Sequence, residues 1–212
     1  MGDELNSCKK SLFEHLHLLI DDRAVLKAMY DIPREQFISA EYRKKAYDDS
    51  PLPIGNNQTI SQPYMVALMT SLLRLRETDK VLEVGTGSGY QAAILAKLVS
   101  NGHVVTVERF PFLACEARKS LSTLSVTNVD VRVSDFTLGC IECSPYNSII
   151  VTAAAPRLPE TLLDQMDDPG RMVIPIGSID EQKLHIVVKK DGQYDVEDVV
   201  ACRFVPLIGD GA

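Results

Sequence analysis

The 212-residue chain holds no apolar run long enough to cross a bilayer. Ile149 to Ala155 falls well short of the roughly 18 residues a span requires, and the uncharged reach from Ser50 to Leu73 is broken by prolines and amides. No membrane partner is expected. Positive charge is also scarce: 22 Lys and Arg against 29 Asp and Glu leave a net charge of −7. With a pI near 5.1, attraction to phosphate backbones is opposed, and nucleic acid is not expected as a partner. Cysteines number five, Cys8, Cys115, Cys140, Cys143 and Cys202, an odd and scattered set that argues against a disulfide framework and fits a reducing, cytoplasmic compartment. Cys140 and Cys143 form a CxxC, but one pair with no second pair and no nearby histidine supplies only half a zinc site. It reads as an incidental loop pair, and no metal is expected. The four histidines, His15, His17, His103 and His185, show no metal spacing and belong at the surface or in packing. The opening segment Met1 to Lys10 mixes Asp3 and Glu4 with Lys9 and Lys10, unlike a signal peptide.

What is present is ordinary for a soluble globular chain: 45% hydrophobic and 24% charged residues, with enough length to bury a core. One domain is expected, with N-terminal helices and a loop over residues 1–78 and a sheet core with a C-terminal hairpin over 79–212. Leu12, Leu16, Leu19 and then Val25, Leu26, Met29 recur at helical spacing, with Asp21 and Asp22 placed to cap a second helix. Tyr47 to Gln62 (YDDSPLPIGNNQTISQ) is rich in turn formers and predicts a loop rather than a regular element. Pro63 then suits the first turn of a helix running to about Leu73. After Asp79, short apolar runs alternate with helical stretches, the pattern of βα units on a mostly parallel sheet. Strands are predicted near Lys80–Val84, His103–Val107, Asp130–Val133, Ser148–Thr152 and Arg171–Ile174. Helices are predicted near Tyr90–Val99, Pro111–Leu124 and Pro159–Met166, and a closing hairpin turns at Lys190–Gln193.

The central motif is VLEVGTGSGYQAAILA, Val81 to Ala96, an apolar strand running through Gly85, Gly87 and Gly89 into a helix. Such a turn lies at the carboxyl edge of the sheet, where open α/β folds bind ligands. The dinucleotide fingerprint GxGxxG would need glycine at position 90, which is Tyr90. GxGxG fits adenosylmethionine better. Glu108 ends the next strand roughly 20 residues on, where a carboxylate can accept hydrogen bonds from both ribose hydroxyls. Asp135, just past the third strand, is placed to accept from an adenine amino group, and Glu83 to orient the methionine part of the ligand.

Beyond these features the chain resembles the protein-L-isoaspartate O-methyltransferases over nearly its whole length. The resemblance rests on IPREQF (Ile32–Phe37), AYDDSPLPIG (Ala46–Gly55), QTISQP (Gln58–Pro63), LEVGTGSGYQAA (Leu82–Ala93), VTVER (Val105–Arg109), IIVTAAAP (Ile149–Pro156), PGRMVIPIG (Pro169–Gly177) and RFVPLIG (Arg203–Gly209). Many methyltransferases share the glycine turn, whereas QTISQP, VTAAAP and RFVPL are far more particular. The resemblance implies a Rossmann-like class I methyltransferase fold: a central, mostly parallel seven-stranded sheet with helices on both faces and an N-terminal helical extension. It implies S-adenosyl-L-methionine as cofactor, S-adenosyl-L-homocysteine as product, and isoaspartyl peptides and proteins as partners; separately, a monomer is expected. It also implies that Gly85, Thr86, Gly87, Ser88, Gly89, Glu108 and Asp135 surround the cofactor. Thr59, Ile60, Ser61, Val151, Thr152, Ala153 and Ala154 then form the substrate wall, and the Arg203–Leu207 segment, with Phe204 and Val205, offers main-chain contacts to the peptide.

The chain departs from the family pattern at Asn56 and Asn57, where a glycine usually precedes QTIS, and at Ser134 and Phe136, where glycines commonly flank Asp135. Asparagine tolerates left-handed backbone angles better than most residues. Carboxylate methylation needs no general base, because a carboxyl with an ordinary pKa of about 4 is already ionised at neutral pH. Ser61 accordingly has two readings, a hydroxyl that orients the acceptor or one that caps the Pro63 helix. Two other functions retain the glycine turn: methylation of a small molecule or of another protein group, and a silent binding module. QTISQP and VTAAAP count against the first, and Ser61 against the second.

Overall fold

A computed structural model describes residues 2–134 and 136–210. Helix α1 (Gly2–Leu19) buries Leu12, Phe13 and Leu16. Helix α2 (Arg23–Asp31) begins at Asp22, whose carboxylate accepts from the amides of Ala24 and Val25 at 3.1 and 3.0 Å. These bonds satisfy donors the helix cannot pair internally. The two helices pack through Leu16, Leu26 and Met29 onto Tyr90, Ala93 and Ile94, so this layer roofs the helix that follows the glycine turn.

The stretch expected to be irregular instead contains a small antiparallel hairpin, β1 (Leu52–Gly55) paired with β2 (Gln58–Ile60). Its two-residue turn is Asn56 and Asn57 at φ 51° and 57°. Both central residues of a tight hairpin turn of this hand need positive φ, so the paired asparagines make the turn. Helix α3 (Pro63–Leu73) follows, and its first residues are capped from a distance. Asp49 accepts from the Tyr64 amide at 2.8 Å and from the Gln62 side chain at 2.9 Å.

The main sheet comprises β3 (Lys80–Val84), β4 (His103–Glu108), β5 (Val129–Val133), β6 (Tyr146–Val151), β7 (Met166–Gly177), β8 (Gln182–Lys190) and β9 (Gln193–Cys202) in the order β5-β4-β3-β6-β7-β8-β9. Strands from β5 across to β7 pair in parallel, and β8 and β9 close the sheet antiparallel. The turn between them, Asp191 and Gly192, has φ 51° and 73°, again the hairpin geometry. Helices α4 (Tyr90–Leu98) and α5 (Pro111–Thr123) make crossovers, while α6 (Glu160–Leu163) is shorter than the predicted Pro159–Met166. Met166 belongs to β7, opposite Tyr146, and the Tyr146 amide donates to the Gln165 carbonyl at 2.9 Å, so ladder pairing replaces further helix.

Side chains alternate across the parallel strands. Leu82, Val105, Ile149 and Met172 enter one core, while Val81, Val104, Ile150 and Val173 enter the other with Met69 and Leu95. Each such burial contributes about 1.5–3 kcal/mol, and polar groups between these faces must find partners. The chain leaves β3 toward β4 and β5, then returns to β6 on β3's other side. That reversal opens a crevice beyond the carboxyl ends of β3, β4 and β6.

Candidate active site

A cavity of about 280 Å³ occupies this crevice. Its floor is the glycine turn, one wall is the β2 segment Asn57–Ser61, and the opposite side carries Thr152, Ala153 and Val205–Ile208. Gly85, at φ +99°, has no room for a side chain, since a Cβ there would lie 2.3 Å from the Thr152 hydroxyl oxygen. That hydroxyl donates to the Gly85 carbonyl at 2.8 Å, fastening the turn to the end of β6. The amides of Gly85 and Thr86 donate to the Val107 carbonyl, fastening it to β4 as well. Gly87, at φ +52°, lies under the hairpin: a Cβ there would meet Ile54 at 3.3 Å.

Two carboxylates face this turn. Glu108 is nearly buried and accepts from the Gly87 amide at 2.9 Å and from the Phe110 amide at 3.0 Å, one bond on each oxygen. Each oxygen keeps a second lone pair, and Glu108 lines the cavity. Glu83 is wholly buried: one oxygen accepts the Thr106 hydroxyl at 2.5 Å, and the Thr106 and Thr86 hydroxyl oxygens lie 2.6 Å apart. The second oxygen has no partner among the described residues, although Glu83 lines the cavity. Burial pushes the Glu83 carboxyl up to about 8, with Glu108 adding to the rise and the Thr106 bond opposing it. An orphaned buried acid favours a ligand that brings positive charge to it.

Ser61 is held by its backbone. The Arg34 guanidinium, buried to 1% exposure, donates from Nη2 to the Ser61 carbonyl at 2.8 Å and from Nε to the Ala46 carbonyl at 2.9 Å. It also lies 5.0 Å from the centre of the Tyr90 ring, and Tyr90 lines the cavity. Gln62, not Ser61, is the cap residue of α3, and the capping bond comes from Asp49. Across the cavity, Ala154 donates to the Val205 carbonyl and accepts from Leu207, both at 2.8 Å, so the C-terminal segment lies alongside the VTAAAP segment.

Of the residues expected at the site, the structure brings Glu83, Gly85, Thr86, Gly87, Ser88, Glu108, Thr59, Ile60, Ser61, Thr152, Ala153 and Val205 to the cavity. Gly89 instead starts α4 and packs against Ala117, and Val151 is buried in the core. Ala154 acts through its backbone, Arg203 is exposed, and Phe204 exchanges two hydrogen bonds with the Gln182 amide. Asp135 lies outside the described residues. Gln58, Met69, Gln91 and Phe110 line the cavity without having been assigned from sequence, and Leu207 lines it as the end of the expected Arg203–Leu207 segment. Gln58 falls inside the quoted QTISQP motif, which is the signal that could have found it.

A model of the protein-L-isoaspartate(D-aspartate) O-methyltransferase family matches residues 7–212. The chain belongs to this family. A protein-L-isoaspartate O-methyltransferase of Geobacter metallireducens is 50% identical over 191 residues, 90% of this chain and 88% of the relative. Among solved structures, a protein-L-isoaspartate O-methyltransferase superposes with a TM-score of 0.87 at 30% identity, covering 96% of this chain and 67% of its own. A Plasmodium falciparum beta-aspartate methyltransferase, crystallised with S-adenosyl-L-homocysteine, gives 0.80 at 28% identity, covering 93% and 97%. The family's cofactor is S-adenosylmethionine, and the residues of this isoaspartate methyltransferase fit it. The unpaired, buried Glu83 oxygen suits a ligand that carries positive charge, and Gly85–Ser88 line the cavity together with Glu108.

Proposed function

We propose that Glu83, the Gly85–Ser88 turn and Glu108 hold S-adenosylmethionine, and that Ser61 with Thr152 and Ala153 presents the free carboxylate of an L-isoaspartyl residue to it. Methylation of that carboxylate starts repair of the damaged protein, and D-aspartyl residues are a second acceptor. The observation that carries the reading is one shared cavity: Ser61 and Ala153 line the same space as the glycine turn and the orphaned Glu83 oxygen.

When bound, S-adenosylmethionine would supply an electrophilic methyl group to the acceptor carboxylate, which is ionised at neutral pH. The chain's residues need only align and desolvate the two reactants. Ser61 donates one hydrogen bond that orients the carboxylate, its position fixed by Arg34 through the backbone carbonyl. Main-chain groups at Ala153 and Val205–Leu207 that the Ala154 pairing leaves open read the peptide backbone, which gives little dependence on neighbouring side chains.

Proteins rather than nucleic acids suit the net charge of −7. No helix among the described residues is long and apolar enough to cross a membrane. The five cysteines are free, which supports a reducing cytoplasm, and the protein acts as a monomer. The test is transfer of a radiolabelled methyl group to an isoaspartyl peptide and to its normal aspartyl twin. Label is expected on the first alone; equal labelling of both, or none with the cofactor bound, removes the assignment.

A further inference from the structure

The CxxC, half a zinc site by its spacing alone, gains two partners in the fold. Cys140 and Cys143 bracket a single 3-10 turn (Ile141–Cys143), closed by the Cys143 amide donating to the Cys140 carbonyl at 3.1 Å. The turn gathers both sulfurs and a Glu142 carboxylate oxygen within 4.8 Å of one another. In a tetrahedral site with metal–sulfur bonds of about 2.3 Å, neighbouring ligand atoms lie about 4 Å apart. Small side-chain rotations therefore close the set. Cys140 is buried, Cys143 half-buried and Glu142 exposed, so an ion can enter from solvent and end against the inner thiol.

The balancing charge is also in place. A divalent ion with two thiolates and one carboxylate carries a net charge of −1. Arg132 on β5 donates from Nη1 to Cys140 Sγ at 3.4 Å and to Glu142 Oε1 at 2.8 Å, while its Nε is held by Asp130 at 2.8 Å. A fixed donor onto two ligating groups is the outer support metal sites use, and it leaves the second Glu142 oxygen and the Cys143 sulfur for the ion.

We propose that Cys140, Glu142 and Cys143 form a site for a thiophilic divalent cation of the zinc class, with water as fourth ligand and Arg132 as the adjoining counter-charge. On binding, two S–H bonds give way to two metal–sulfur bonds, both protons pass to solvent, the carboxylate binds as the anion it already is, and no oxidation state changes. The site adjoins the cavity wall at Leu138 and Gly139 but lies apart from the reacting centre.

The test is titration of the reduced full-length chain with Co²⁺ followed by Zn²⁺, in the wild type and in a variant carrying Cys8→Ser, Cys115→Ser and Cys202→Ser. Thiolate-to-cobalt absorption is expected to saturate at one equivalent in both and to vanish when zinc is added. In the three-serine background, Cys143→Ser should abolish the band, while Arg132→Gln should keep it but weaken zinc binding about 10- to 100-fold. S-adenosylhomocysteine binding by each variant checks that it is folded. Absence of the band from the wild type, or a band that survives Cys143→Ser in a folded variant, overturns the proposal.

Discussion

Arg34 and Ser61 stand 27 positions apart and are joined by a 2.8 Å hydrogen bond from the guanidinium to the serine carbonyl. The same guanidinium holds the Ala46 carbonyl, so one buried cation fixes both ends of the segment that carries the hairpin. A hydrogen bond from a charged group contributes about 1.5–3 kcal/mol, and lysine cannot reproduce the fork. Arg34→Lys is expected to lower kcat/KM for an isoaspartyl peptide about tenfold or more while leaving S-adenosylhomocysteine affinity within about twofold. Calorimetric binding and steady-state kinetics on one preparation check this. Equal loss of both would make Arg34 a general support of the fold.

For Ser61 the two sequence readings now separate. The α3 cap residue is Gln62 and Asp49 accepts from the Tyr64 amide, while Ser61 lines the cavity. Ser61→Ala should cost one hydrogen bond to a carboxylate, about 1.5–3 kcal/mol or roughly 10- to 150-fold in turnover, with cofactor affinity and melting temperature unchanged. A melting temperature that drops while turnover holds would assign the hydroxyl to the helix after all.

The sheet was legible because its strands are buried on both faces and read as continuous apolar runs between turn signals, as in Ile149–Val151 and Met172–Ile174. The glycine turn was legible because Gly85 admits no side chain beside Thr152. Less legible were elements whose partners are distant in sequence. The β1–β2 hairpin hides in a proline-rich stretch, and its turn depends on two asparagines rather than glycine. Asp49 caps a helix through the Tyr64 amide, 15 positions further on, a relation that no local pattern encodes. Likewise, Arg132 reaches Cys140 and Glu142 only because β5 ends beside their turn.

Glu108 carries a double duty that a single substitution can expose. Its oxygens pin the amides of Gly87 and Phe110 and have lone pairs left for two ribose hydroxyls. Glu108→Ala removes both acceptors and is expected to raise the S-adenosylhomocysteine dissociation constant about 100-fold or more, from two charged hydrogen bonds. Glu108→Gln keeps one carbonyl oxygen and should fall between. An unaltered dissociation constant in the alanine variant would refute the ribose contact.

Glu83 makes the ligand-free protein sensitive to pH in a direction opposite to that of a salt-bridged acid. Its carboxyl titrates near 4.5 when exposed and near 8 in the fold, where burial and then Glu108 oppose ionisation. Between those values the folded chain keeps a proton that the unfolded chain has lost. Stability from this group is therefore fully present below about pH 4.5 and is lost as pH rises to about 8, on the order of a few kcal/mol in all. Glu83→Gln cannot ionise, so urea unfolding should show it level with the wild type near pH 5 and the more stable of the two near pH 8. A cofactor bringing positive charge to the unpaired oxygen favours the carboxylate, so S-adenosylmethionine binding near pH 7 should release a proton. Calorimetry in buffers of different ionisation enthalpy reads that proton directly, and its absence, together with parallel stability profiles for the two proteins, would mean that Glu83 is already ionised before the cofactor arrives.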